Sequence, residues 1–198
     1  PKVGGHDFVE IYNRSARTIN LQDWKIGNRL ITDDILLLHP NNYLAFTIDI
    51  NNLRIQYPNA HQGQLYQVNS LPAYNNSQGQ AILYASSGIM IDSLQYVSTM
   101  HASTLKNTKG ISLERQSPDM YTNAAETFLS AATTSGGATP GYKNSAQRGI
   151  NAKKNNFILK KKTIVTNPNF GIQNLEINYE LTSPNIQVSV HIYSDSGT

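Results

Sequence analysis

The sequence predicts an all-β protein whose strands form two sheets packed face to face. Short apolar runs recur along residues 1–146 and are separated by Asn, Gly and Pro, a spacing typical of an antiparallel β domain. Two of these runs, Gln80–Ala85 and Ile89–Tyr96, are joined by Ser-Ser-Gly and predict a hairpin, because the glycine accepts the positive φ of a tight turn. Seven such strands do not lie flat in one layer, so two packed sheets are expected.

The first two predicted strands differ in their pattern of apolar residues. The strand Phe8–Asn13 has apolar residues on both faces, which predicts an interior strand covered on both sides. The strand Thr18–Ile26 changes the phase of its alternation at Gln22-Asp23. We therefore expect a bulge or turn there that directs Trp24 into the core.

One short helix and three further strands complete the first part of the chain. A helix is predicted at Asn51–Tyr57, because Leu53 and Tyr57 fall on one face and Pro58 ends it. The other predicted strands are Ile31–Leu38, Tyr43–Asp49 and Gly110–Gln116. The residues expected to form most of the core are Phe8, Tyr12, Trp24, Ile26, Leu44, Phe46, Leu83, Ile91 and Leu113.

The chain changes in composition after residue 134. Residues 147–156 are almost free of apolar side chains and predict a linker between a domain at 1–146 and a partial module at 157–198. That module has three predicted strands, at Phe157–Val165, Leu175–Leu181 and Gln187–Tyr193. Three strands rarely bury a core alone, so it is expected to be incomplete.

Composition limits the classes of function. The chain has no cysteine, which excludes disulfides and thiolate metal sites, and no run of 18 apolar residues, so no membrane span is predicted. The net charge is +3, but residues 1–146 hold ten Lys and Arg against ten Asp and Glu, which argues against a nucleic-acid surface there. The opening PKVGG is not a signal peptide, and we interpret the chain as a piece of a longer polypeptide.

Ordered motifs in residues 6–146 resemble the lamin tail domain in its secreted bacterial branch. FVEIYN and INLQDWKI match the opening of that family, NNYLAFTID and AILYASSGIMIDSLQY match its middle, and GISLERQSPD and ATPGYKNS match its closing segment. The resemblance implies an immunoglobulin-like β-sandwich and a location outside the cell, at the cell surface or in the periplasm. The residues within these motifs, to which it assigns structural roles, are Glu10, Tyr12, Asn13, Trp24, Asp92, Glu114, Arg115, Pro140, Gly141 and Tyr142.

Two further expectations follow from the resemblance. Relatives have an apolar strand before the position of Val3, so the first strand of the domain is expected to be missing from this chain. LEINYEL and VSVHIYSDSG resemble the start of an immunoglobulin-like module of the flagellar hook-capping type. The loop before them lacks the aspartates of relatives, which puts calcium binding there in doubt.

No residue set predicts catalysis, a cofactor or a metal ion. The five histidines are scattered, and a strand places Asp7 on the face opposite His6 and Glu10. Glu10 or Glu114 is expected to form a structural pair with Arg115, because a buried charge without a partner is costly. Trp24 is expected in the core, with a carbohydrate-stacking platform as the alternative.

The closing motif ATPGYKN is expected to be structural. Pro140 fixes φ and Gly141 permits a sharp turn, so Tyr142 is expected to be largely buried with its hydroxyl bonded to main chain.

Three functions remain open from the sequence. The leading one is a non-enzymatic interaction or spacer module of a secreted or surface multidomain bacterial protein, with another protein or other domains of the same polypeptide as partner. The alternatives are an accessory domain of a secreted nuclease or phosphoesterase, and a nucleic-acid-binding module. Unpaired strand edges also predict a strand-exchanged oligomer, or residues 157–193 adding to the first domain.

Overall fold

The computed structural model describes residues 1–124, 126–147, 156–159 and 177–180. The chain divides into two compact units, Pro1–Gln147 and Arg148–Thr198. The described residues contain no helix of the length and apolarity needed to cross a membrane. The predicted domain and linker boundaries stay predictions, because so little of the second unit is described.

The regular elements described in the first unit are mostly short strands, with one α-helix and three single-turn 3₁₀ helices. The helix α1 spans Ile50–Gln56, and its N-terminus is capped by Asp49, whose carboxylate accepts the Asn52 N–H at 2.9 Å. The strands are β1 (Phe8–Tyr12), β2 (Ile19–Asn20), β3 (Lys25–Ile26), β4 (Arg29–Leu30), β5 (Leu37–Leu38), β6 (Tyr43–Thr47), β7 (Leu65–Gln67), β8 (Gln78–Tyr84), β9 (Met90–Val97), β10 (Leu113–Arg115) and β11 (Phe128–Ser130).

The domain contains two larger sheets. The first has the order β1-β6-β7, with β1 antiparallel and β7 parallel to β6. The second has the order β4-β3-β8-β9 and contains the predicted hairpin, in which Gly88 has a φ of 82°. Smaller pairs are β2-β5 and β10-β11. The predicted all-β fold is confirmed, and it is consistent with an immunoglobulin-like sandwich.

The core lies between the two larger sheets. Phe46 of β6 is fully buried and Ile26 of β3 nearly so, and Val9, Ile11 and Trp24 pack against the same cluster while remaining partly exposed. A second cluster lies on the other face of the first sheet, around α1, and consists of Leu53, Tyr57, Ala60 and Ala138 with Phe8 and Leu65 against it. The strand β1 is therefore covered on both faces, as predicted.

Several predicted strands are shorter or interrupted. The run Thr18–Ile26 contains only β2 and β3, separated by a turn in which Asp23 has a φ of 61°, so the predicted break at Gln22-Asp23 is confirmed. The run Ile31–Leu38 is mainly loop, because the Thr32 hydroxyl accepts the Asp34 N–H at 3.1 Å and turns the chain. The strands β4, β7 and β11 were not predicted.

Two expectations about packing are wrong. The strand β1 is not one of them, because it is covered on both faces, although it pairs only with β6 among the described strands. Ile91 is 50% exposed, because the register of β8 and β9 shifts beside Leu83 and leaves Ile91 without a cross-strand partner. Tyr12 and Leu113 are partly buried but belong to neither core cluster.

The described part of the second unit is one antiparallel pair. Strand β12 (Asn156–Leu159) pairs with β13 (Ile177–Glu180), and Asn156 lies opposite Glu180. Strand β13 lies within the predicted run Leu175–Leu181, and β12 begins one residue before the predicted run Phe157–Val165. The predicted strand Gln187–Tyr193 lies outside the described residues.

Replacement of Phe46 by Ala should destabilise the domain by about 3–5 kcal/mol, because a fully buried ring would leave a cavity in the main core. Ile55→Ala is the matched control, because that side chain on α1 is 79% exposed, and it should change the free energy of unfolding by less than about 0.5 kcal/mol. Urea unfolding followed by the fluorescence of Trp24 measures both. Equal stabilities of the two variants would contradict this assignment of the core.

Candidate binding groove and its acidic pair

A groove with a cavity volume of about 1000 Å³ runs along the outer edge of β1. One wall is formed by β1 itself, and the floor is formed by the β8-β9 hairpin. The β10-β11 pair and residues 107–112 form the opposite side. The volume is at the upper end of what is usual for a ligand-binding cleft.

The edge of β1 that faces away from β6 carries unpaired main-chain groups. The Thr47 C=O accepts the Val68 N–H on the side of β7, so Thr47 and the opposing Phe8 are not a hydrogen-bonded pair. The Asn13 N–H, in contrast, donates to the Asn42 C=O at 3.0 Å. Because direction alternates along a strand, residues 8, 10 and 12 direct their N–H and C=O groups away from β6, where no described strand pairs with them.

A closing segment, Thr139–Ala146, is held to the domain through the carboxylate of Glu114. This residue of β10 is only 4% exposed. Its two oxygens accept hydrogen bonds from the Thr139 hydroxyl at 2.6 Å, the Ser145 hydroxyl at 2.7 Å and the Ala146 N–H at 2.9 Å. Three donors satisfy a buried carboxylate without an ion pair.

Glu10 of β1 contacts the same segment. Its Oε2 accepts the Gly141 N–H at 2.6 Å. Burial of the carboxyl raises the pKa of Glu10 to about 8, the Gly141 N–H opposes that rise, and the negative charge of Glu114 adds to it. Part of the residue stays accessible from the groove, but its carboxyl is largely surrounded by protein. Burial therefore favours the protonated form of the Glu10 carboxyl by raising its pKa.

Arg115 does not pair with either glutamate, so the expected pair of Arg115 with Glu10 or Glu114 is wrong. Its Nη1 lies 3.0 Å from Oδ2 of Asp92 on β9, its Nη2 donates to the Met120 C=O, and its guanidinium lies over the Phe128 ring. The glutamates are instead stabilised by neutral hydroxyl and main-chain donors. Glu114 and Arg115 are neighbours on β10, so their side chains point to opposite faces and do not pair with each other.

The Pro-Gly turn of the closing segment is structural, as predicted. Pro140 is fully buried and its C=O accepts the His61 N–H at 2.9 Å, while Gly141 has a φ of 85°. Tyr142 is more than half buried, which agrees with the expected burial, but the expected bond from its hydroxyl to main chain is not formed within the described residues.

The remaining motif residues stabilise local structure. Asn13 is buried and its side-chain amide donates to the C=O groups of Arg17 and Leu38, which fixes the turn after β1. The Tyr12 ring lies 4.5 Å from the Tyr43 ring, and its hydroxyl donates to Asn41. The partly buried ring of Trp24 packs on the core.

Within the part of the chain that the structure describes, no group of three or more His, Asp and Glu side chains is placed to hold a metal ion. The candidate set His6, Asp7 and Glu10 is accordingly not brought together there. The groove is bordered by β1, the β8-β9 hairpin and the β10-β11 pair, and its two glutamates are engaged by the closing segment. This arrangement supports a structural role for the acidic pair.

The fold thus defines a β-sandwich module. Residues 1–98 match the family model of the lamin tail domain, a family of generally non-catalytic immunoglobulin-like modules. The match covers about half of the chain, from the N-terminal residues through β9. No curated protein matches the chain, and no solved structure does. The predicted resemblance of residues 99–146, and that of the second unit, stay predictions.

Replacement of Gly141 by Ala should destabilise the domain more than replacement of Gly88. Both glycines have positive φ, so each Ala variant should lose about 1–2 kcal/mol from backbone strain. At Gly141 an added Cβ would also lie 2.9 Å from Gln64 Cβ and from the His61 carbonyl oxygen, whereas Gly88 has open space. We expect a further loss of about 1–3 kcal/mol at Gly141. Urea unfolding measures both, and equal losses would show that the closing segment is not tightly packed.

The stability of the domain should fall as the pH rises from 6 to 9. Because the pKa of Glu10 is raised in the folded state, to about 8 from an ordinary 4.5, the stability that it contributes is full below about 4.5 and is lost as the pH passes through about 8. Glu10→Gln should remove most of this decline and still accept the Gly141 N–H.

Asp34→Asn, which changes an exposed acid, is the control and should keep the wild-type profile. Burial lowers the pKa of His101, so the stability that this histidine contributes is lost only as the pH falls. The difference between wild type and Glu10→Gln therefore reports the contribution of the glutamate alone. If the urea midpoints of wild type and Glu10→Gln change in parallel across pH 6–9, the pKa of Glu10 is not raised by burial in the folded domain.

Proposed function

We propose that Pro1–Gln147 is a non-enzymatic interaction module of a multidomain bacterial protein that works outside the cytosol, secreted or at the cell surface. The observation that carries the proposal is the match of residues 1–98 to the lamin tail domain, a family of generally non-catalytic immunoglobulin-like modules. The partner is another protein or another domain of the same polypeptide. A spacer role is compatible with the same structure.

A catalytic role is not favoured by the acidic pair. Two carboxyls in different environments are a common arrangement for an acid and a base. Here, however, both oxygens of Glu114 are engaged by the closing segment, and one oxygen of Glu10 is engaged by Gly141. A carboxylate that is occupied by structural donors is not free to act as a nucleophile or a base, so the pair supports a structural role.

Two other partner classes have less support. Residues 1–146 carry equal numbers of basic and acidic side chains, whereas nucleic-acid binding depends on phosphate neutralisation by clustered Lys and Arg. Carbohydrate platforms need an accessible aromatic face, but Trp24 packs on the core and Tyr12 stacks on Tyr43. A polypeptide partner agrees better with the groove. The proposed location outside the cytosol rests on the SLER and ATPGY motifs of the secreted branch.

The purified chain should neither hydrolyse nor bind nucleic acid. We expect no turnover of bis(p-nitrophenyl) phosphate, DNA or RNA, with and without added divalent cations, and no DNA binding at low ionic strength. Gel-based nuclease assays and fluorescence anisotropy measure these. Turnover that Glu114→Gln abolishes in a folded protein would overturn the proposal in favour of a hydrolase, and salt-sensitive DNA binding would overturn it in favour of a nucleic-acid module.

A further inference from the structure

We propose that the outer edge of β9 is a latent surface for strand pairing with a second copy of this chain, and that a strap formed by residues 117–124 keeps it closed. This edge belongs to the second sheet. The contacts that close it lie within residues 92–123. Release of the strap is expected to let two copies pair through β9.

The side chain of Asn123, in the strap, occupies the edge of β9. Strand β9 pairs with β8 on one side, and no described strand lies on the other. The Oδ1 of Asn123 accepts the Gln95 N–H at 2.9 Å, and its Nδ2 donates to the Ser93 C=O at 2.7 Å. A residue of a parallel neighbouring strand makes the same two bonds, to the C=O of one residue and the N–H of the residue two positions later. One side-chain amide therefore replaces one residue of a paired strand.

Two other side chains engage the outward N–H groups on either side of Gln95. The Ser93 N–H donates to Oδ1 of Asp92 at 2.9 Å, and the Val97 N–H donates to the sulfur of Met100 at 3.4 Å. Residues two positions apart in a strand direct their main-chain groups to the same side, so these two groups and the Gln95 N–H all point away from β8. All three outward donors thus have a side-chain acceptor, which a pairing strand would have to displace.

The strap is attached to β9 and β10 by contacts that do not depend on Asn123. Nη1 of Arg115 lies 3.0 Å from Oδ2 of Asp92, and its Nη2 donates to the Met120 C=O of the strap. The Thr122 hydroxyl donates to the carboxylate of Asp92. Because these contacts fix the strap, the amide of Asn123 is positioned at the edge before any partner approaches.

The composition of β9 explains why a second copy is the partner that the strap excludes. Edge strands are commonly protected from pairing with other chains by charged side chains. The eight residues of β9, MIDSLQYV, include only one charge, that of Asp92, and it is paired with Arg115. Three of its apolar side chains are at least 43% exposed. Two copies related by a two-fold axis would pair β9 antiparallel with Gln95 opposite itself, a register that places no like charges opposite each other.

Replacement of Asn123 by Ala tests the strap, because it removes the amide and keeps the contacts of Asp92. We expect the self-association constant of the full chain to rise at least about tenfold, measured by analytical ultracentrifugation over a concentration series. The matched control is Asn51→Ala, which replaces an exposed asparagine of α1 and should leave the constant unchanged.

Hydrogen exchange measured by NMR reports on the edge itself. At a concentration where both proteins are monomeric, the Gln95 amide should exchange at least about tenfold faster in Asn123→Ala than in wild type, because its acceptor is lost. The Leu94 amide points towards β8 in the ladder and should keep its rate.

A second substitution locates the contact between copies. Gln95→Pro removes an N–H that points away from β8, a position at which edge strands tolerate proline. Added to Asn123→Ala, it should return the association constant to within about threefold of wild type. Circular dichroism and the urea midpoint establish that each variant is folded before association is compared.

Three results would overturn the inference. The first is an association constant that Asn123→Ala leaves at the wild-type value, and the second is a Gln95 exchange rate that it leaves unchanged. The third is association of Asn123→Ala that Gln95→Pro does not weaken in a folded protein, which would place the contact between copies outside β9. None of these changes the expected lack of hydrolysis, so the inference can fail while the proposed function stands.

Discussion

The carboxylate of Glu114 is the contact on which the first unit depends. It accepts three hydrogen bonds from residues that lie 25 to 32 positions later in the chain, and it is almost fully buried. Removal of these donors would leave a buried charge without partners, which costs several kcal/mol. The closing segment is therefore fixed in place, and this fixes Gly141 against Glu10, a residue 131 positions earlier. Through Glu114, the β10-β11 pair therefore holds the closing segment, and the closing segment in turn contacts β1 near the start of the domain.

This arrangement covers the faces of β1 and leaves its edge open. Core residues lie on one face, and α1 and the closing segment lie on the other, so a flat approach of another sheet is prevented. An exposed strand edge normally promotes aggregation. The edge of β1 lies beside residues of β10 and of the β8-β9 hairpin, which restrict access to it.

The sequence predicted the elements whose signals are local. Short apolar runs bounded by Asn, Gly and Pro identified β1, β6 and the β8-β9 hairpin, the glycine at 88 identified its turn, and the Leu53 and Tyr57 spacing identified α1. The strands β7 and β11 have three residues each, too few to show a period. In the site, Glu10 and Glu114 were singled out but given the wrong partner. Their donors are neutral groups far away in sequence, which no pattern of charges reveals.

Burial raises the pKa of Glu10, so the protonated form of its carboxyl is favoured in the folded domain and needs no cation as partner. Glu114 needs no cation either, because three neutral donors occupy its two oxygens. Both carboxyls are therefore accommodated without Arg115, which pairs with Asp92 instead.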